Sequence, residues 1–162
     1  QSDHQPTLEA LEALTQGQRA PLEAAQVLEP IYDALGEWNH LIAVLEVQGR
    51  ATEDPYHRVE LLHRVARLHE EMLNDPASAS DTYARAVAAD VTNEESLHQF
   101  ERLAMHVDRW ADLAQLYDQQ LDKLAESDDP VLFGDLGLRV ARIYEEQLEQ
   151  YDPAIERYQR VM

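Results

Sequence analysis

Two Glu-x-x-His spacings carry the residue types for metal chemistry: Glu60-Leu61-Leu62-His63 and Glu95-Ser96-Leu97-His98. Residues three apart share a helix face, so each motif offers one carboxylate and one imidazole together. Two such pairs can enclose a di-metal site in a four-helix carboxylate bundle. The helical phase argues against that use. Glu60 and His63 lie off the apolar line Leu61, Val65, Leu68, Met72, and His98 lies beside Leu97 rather than on the core line. Surface positions are expected for these residues, with a metal-dependent helical-bundle enzyme as the outside reading.

The remaining signatures of chemistry are missing from the sequence. The seven histidines form no His-x-x-x-His or His-Glu-x-x-His pair, and no clustered Asp/Asn calcium loop occurs. Asp128-Asp129 reads as a helix-start turn. With five glycines there is no Gly-x-Gly-x-x-Gly or phosphate loop, and Ser78, Ser80, Ser96 and Ser127 lack a nucleophile-elbow setting. The chain has no cysteine, which removes disulfides, thiolate metal sites and cysteine catalysis. A non-enzyme without cofactor or metal is expected.

The charged residues suggest recognition instead. Net charge is −19, with 32 acids against 13 bases, so nucleic acid and anionic membrane are poor partners at long range. Twelve of the bases are Arg; Arg64 and Arg67 recur as Arg139 and Arg142, and Arg102 lies between the two copies. Guanidinium forks bind carboxylates in pairs of hydrogen bonds, so these five are the candidate partner-binding set, for an acidic segment or a free C-terminus. The competing expectation is pairing within one helix, Glu60 with Arg64 and Arg67 with Glu71, worth a few tenths of a kcal/mol each. Trp38 and Trp110 each begin a helix after a tight turn. Packing into a neighbouring hairpin is favoured for both over an exposed binding role.

The elements that must position these residues repeat. RVARLHEEMLNDPASASDTYARAV (64–87) and RVARIYEEQLEQYDPAIERYQRVM (139–162) agree at 10 of 24 positions, 75 residues apart. A second echo aligns Leu28–Gln48 with Phe100–Gln120 at a shift of 72, placing Glu29 on Glu101, Trp38 on Trp110, Leu41 on Leu113 and Gln48 on Gln120. Apolar residues follow the 3.6-residue period throughout, and strand alternation is absent. Asp-Pro pairs at Asp54-Pro55, Asp75-Pro76, Asp129-Pro130 and Asp152-Pro153 mark helix starts, because Pro suits the first helical turn and breaks the interior. Asn93 is an expected N-cap. Nine helices are expected, near 7–16, 20–35, 38–48, 55–73, 76–89, 93–107, 110–125, 131–150 and 153–162.

The repeat also resembles a known family. Leu62, Val65, Ala66 and His69, followed by Ala79, Tyr83 and Ala86, resemble the two helices of a tetratricopeptide repeat. Gly137, Val140, Ala141 and Tyr144, followed by Ala154, Tyr158 and Val161, do the same. Small residues let paired helices approach while the aromatic fills the space beside them. Looser matches are Phe100, Leu103, Ala104, Val107 and Tyr117 in one unit, and Leu28, Ile31 and Leu35 in another, where Tyr32 stands in place of a small residue. The Pro that usually closes each repeat is absent, with Val91 there instead, and the family's Lys and Asn carboxylate clamp is not reproduced. The resemblance covers about Leu22 to Met162.

It implies an all-α helix-hairpin solenoid in a right-handed superhelix, one domain over 1–162. Units are expected at about 20–53, 55–91, 93–127 and 130–162, with 1–16 as a leading helix. The family implies a scaffold of degenerate bacterial type, holding a peptide or partner protein in a concave groove. The alternative is a structural spacer or self-association element. No apolar run reaches the ~18 residues of a membrane span, so no membrane insertion is expected. A start at Gln1 and an apolar end at Val161 and Met162 suggest a piece of a larger protein. The compartment stays open, with the cytoplasm slightly favoured over the periplasm.

Overall fold

The chain was described from a computed structural model, which covers residues 5–16, 21–127 and 129–162. The expected helix start at Ala20 and the Asp128 half of the Asp128-Asp129 turn lie outside the described residues. Within them the protein is all-α, with nine helices and no strand. The helices are α1 (Gln5–Gln16), α2 (Pro21–Leu35), α3 (Trp38–Ala51), α4 (Pro55–Arg67), α5 (Pro76–Ala89), α6 (Glu94–Val107), α7 (Trp110–Ala125), α8 (Pro130–Arg142) and α9 (Tyr151–Val161).

At three starts the turn chemistry acts where the sequence placed it, whereas α9 begins at Tyr151, two residues before the expected Pro153, with Gln150 as an N-cap that makes no side-chain bond. Asp54 accepts from the Tyr56 N–H at 3.1 Å, Asn93 from Ser96 at 2.9 Å and Asp129 from Leu132 at 3.0 Å. Each cap satisfies a backbone donor that the first helical turn leaves open. Gly36 and Asp108, 72 residues apart, both take left-handed φ values of 69° and 55°. The residues after them, Glu37 and Arg109, donate back to Tyr32 and Ala104, so one tight turn serves both copies.

The structure differs from expectation after α4 and α8. Each helix was expected to run on, to Leu73 and to Gln150. Each instead passes into a single π turn, Leu68–Met72 after α4 and Ile143–Gln147 after α8. Leu73 donates to Leu68 and Leu148 to Ile143, both i→i−5. Each turn then closes on a left-handed residue, Asn74 and Glu149, which are again repeat equivalents.

The chain gathers into two compact units, 1–82 and 83–162, with the boundary inside α5. In the first, Ala25, Leu28, Tyr32, Leu41, Val44, Leu45, Leu61 and Val65 form a buried cluster, with Leu8, Leu11 and Trp38 packed against it. In the second, Leu97, Phe100, Leu103, Leu113, Tyr117, Leu121, Leu136 and Val140 are buried, and Phe100 meets Tyr117 edge-on at 6.4 Å. Each fully buried aliphatic or aromatic side chain is worth about 1.5–3 kcal/mol relative to exposure. Ala66, Ala79, Tyr83, Ala141 and Ala154 are buried as the repeat pattern requires. Tyr158 is only half-buried, because its hydroxyl turns outward to donate to Glu145 at 2.8 Å.

Gly137 marks the tightest approach in the second unit. A Cβ there would sit 2.0 Å from Val161 Cγ1, whereas one on Gly134 would meet nothing within 4 Å. Gly134→Ala should therefore stabilise by about 0.5–1 kcal/mol through helix propensity. Gly137→Ala should instead be net destabilising, since overpacking costs about 1–3 kcal/mol. Urea melts of the two variants test the contrast, and equal shifts would contradict the packing described.

Candidate functional site

A pocket in each unit is built on the first half of the 75-residue repeat. In the second unit, Glu101 on α6, Trp110 on α7, Asp135, Leu138, Arg139 and Arg142 on α8, and Ile143, Glu146 and Gln147 on the π turn line a pocket of about 550 Å3. In the first unit, Asp33, Leu41, Arg64, Arg67, Leu68, Glu71 and Met72 line one of about 170 Å3. At a shift of 75, Arg64, Arg67, Leu68, Glu71 and Met72 fall on Arg139, Arg142, Ile143, Glu146 and Gln147.

The first arginine of each pair is held by a glutamate two helices earlier. Arg64 Nη1 donates to Glu29 Oε1 at 2.5 Å, and Gln48 Nε2 donates to the other oxygen of that carboxylate at 2.5 Å. Arg139 Nη1 donates to Glu101 Oε1 at 3.2 Å and its Nη2 to Glu94 Oε2 at 2.7 Å. The Glu101 oxygen also accepts from the fully buried Tyr117 hydroxyl at 3.0 Å. Burial, first, and the Glu101 charge beside it push that phenol well above its usual range. For Arg139, burial opposes the charged form, but Glu101 and Glu94 outweigh it and hold the guanidinium above its usual range. The expected Glu60–Arg64 pair is not what forms. Glu60 instead lies 3.5 Å from His57 Nδ1.

The second arginine of each pair stays open. Arg67 donates Nε to the His63 carbonyl at 3.3 Å, and no ion pair joins it to Glu71 among the described residues. Arg142 and Glu146 likewise make no ion pair there. Both pairs span the start of a π turn. All four residues are exposed.

The fifth arginine does not join either pocket. Arg102 donates Nε to Gln99 Oε1 at 2.8 Å on its own helix. Nor is the second-unit pocket a basic patch. Arg139 is matched by Glu101, which leaves Arg142 facing Asp135 and Glu146. The sequence reading missed Trp110, Leu138, Ile143 and Glu146 as lining residues, although the repeat offset from Arg139 pointed to the π-turn members. Trp38 packs on the first-unit core.

His63, expected at the surface, is buried, while Glu60, Glu95 and His98 are exposed. No group of three or more His, Asp or Glu side chains placed to hold a metal ion occurs among the described residues. No helix there is long and apolar enough to cross a membrane.

No protein-family model matches the chain. No curated protein sequence matches it either. One solved structure to which it is similar is the crystal structure of BtubC (BKLC) from P. vanneervenii, at 12% sequence identity and a TM-score of 0.41. The likeness covers 95% of this chain and 68% of that chain. So slight a likeness carries no argument about this site.

The Glu29 carboxylate yields a pH prediction. Burial raises its pKa, but hydrogen bonds from Gln48 and Arg64 and the Arg64 charge overcome that and leave it lowered. A lowered folded-state pKa contributes stability above the unfolded value, near 4.5, and loses it as pH falls through the folded value. Glu29→Gln should be less stable than the parent at pH 7, and the gap should narrow below pH 4.5. A constant gap in denaturant melts from pH 7 to pH 3 would contradict the assignment.

Proposed function

We propose that the chain is a non-catalytic interaction module of helical-repeat type, which holds a peptide or partner protein at the second-unit pocket. The observation that carries this reading is the open pair Arg142 and Glu146. They have opposite charge, are exposed, make no ion pair among the described residues and sit beside apolar Leu138, Ile143 and Trp110. Such a surface suits a segment with an apolar anchor flanked by an acid and a base. The acid would meet the Arg142 fork and the base Glu146. A net charge of −19 favours an overall basic partner at long range, so local charge and global charge act at different distances. The tetratricopeptide resemblance agrees with a scaffold role, and the stacking of four such units into a right-handed solenoid belongs to the same proposal.

Panning a random peptide library against the protein tests it. Selected peptides should combine an apolar residue with charges of both signs and should bind at least tenfold more weakly to Arg142→Glu and to Glu146→Arg. Reversal of the exposed Arg50, which lines neither pocket, should leave binding unchanged. Absence of enriched peptides, or binding indifferent to both pocket reversals, would remove the reading.

A further inference from the structure

We infer that α9 is a detachable helix, held to the second unit by a carboxylate–guanidinium latch at Asp118 and released as a unit when that latch is lost. The inference does not depend on the partner reading given above. Asp118 on α7 accepts twice from Arg157, from Nε at 3.0 Å and from Nη2 at 2.9 Å. It also accepts from the Tyr144 hydroxyl at 2.8 Å. The same guanidinium lies over the Tyr144 ring, 5.1 Å from its centroid. The two charged side chains are only 22% and 19% exposed. A two-bond fork in so covered a place holds its geometry better than an exposed ion pair, because water competes less for it. Close by along α9, Arg160 meets Asp122 at 2.7 Å and lies over Phe133, and the Tyr158 hydroxyl donates to Glu145 at 2.8 Å.

Apolar burial adds little to this attachment. Ala154 is the buried residue of α9, while Ile155 and Met162 are exposed. In the first copy of the repeat α5 takes the same place and is held in the opposite way. Its Ala79, Ser80, Thr82, Tyr83, Ala86 and Val87 are all buried. At the shift of 75, Thr82 stands where Arg157 does, and its hydroxyl donates to the Ser78 carbonyl of its own helix at 2.8 Å. Burial holds a helix through many small contacts, so the loss of one polar group does not release it. A latch concentrates the attachment in one pair, and removing either member leaves the other covered and unpaired. Release of α9 uncovers the backbone of Gly137, where Val161 Cγ1 now lies 2.0 Å from the place a Cβ would take.

Native-state hydrogen exchange, read amide by amide by NMR, tests this. In the unmutated chain the amides of residues 155–161 should share one protection factor, lower than those of α7 and α8. Asp118→Asn should lower that shared factor roughly tenfold or more and leave α6, α7 and α8 within about twofold of the parent. Arg157→Gln should do the same. The double variant should be no worse than either single one, since all three lose the same pair. Protection that declines residue by residue towards Met162 would show fraying of a helix end and overturn release as a unit. Protection of α9 that Asp118→Asn leaves unchanged would overturn the latch. An equal loss throughout the second unit would also overturn it, because Asp118 would then support the whole core and not the attachment of one helix.

Discussion

A π turn closes α4 and another closes α8, and the character of each unit's surface depends on them. Each begins between an arginine and the glutamate four residues on, Arg67 and Glu71 in one unit and Arg142 and Glu146 in the other, and neither couple forms an ion pair among the described residues. The same turns bring Leu68 and Ile143 to the pockets and end on Asn74 and Glu149 in the left-handed region. Asn accepts that conformation readily, while Glu149 bears a Cβ penalty of about 1–2 kcal/mol. That the strained form recurs with a poorer residue shows that local geometry, and not residue preference, is what the repeat preserves.

Behind the π turns stands a clasp between helices. Glu29 with Arg64 joins α2 to α4, and Glu101 with Arg139 joins α6 to α8. Ion pairs with this much exposure contribute little stability, commonly 0–1 kcal/mol. Their effect is positional. By engaging the first arginine they fix its guanidinium against the earlier helix, while the second makes no ion pair among the described residues. The supporting groups differ, Gln48 in one unit and buried Tyr117 in the other, so the clasp recurs although its scaffold has changed.

Most of the fold was legible because helix starts are local. Asp54, Asn93 and Asp129 act through residues two or three positions away, and apolar periodicity reports burial directly. The π turns were not legible, because nothing in Leu68–Met72 or Ile143–Gln147 departs from ordinary helix composition. Nor was the partner of Arg64, since Glu29 lies 35 residues away and only its echo in Glu101 hinted at a shared role. His63 was misplaced because the helical stripe was drawn too narrow. A helix enclosed on more than one side buries flanking positions that an amphipathic pattern assigns to solvent. Of the five arginines, the two pairs related by the 75-residue shift line the pockets, and Arg102, without a counterpart at the same offset, lines neither.

The two tryptophans divide between the units, one in each. Trp38 packs against the first-unit core, and Trp110 lines the second-unit pocket, partly open to solvent. Indole emission shifts and quenches with local polarity, so the chain carries two optical reporters that differ in kind. Trp38 follows the cohesion of its core during unfolding. Trp110 is available to soluble quenchers and to any group that enters the pocket. Replacing either one by Phe would leave a single emitter, and the folding of one half of the molecule could be followed without signal from the other.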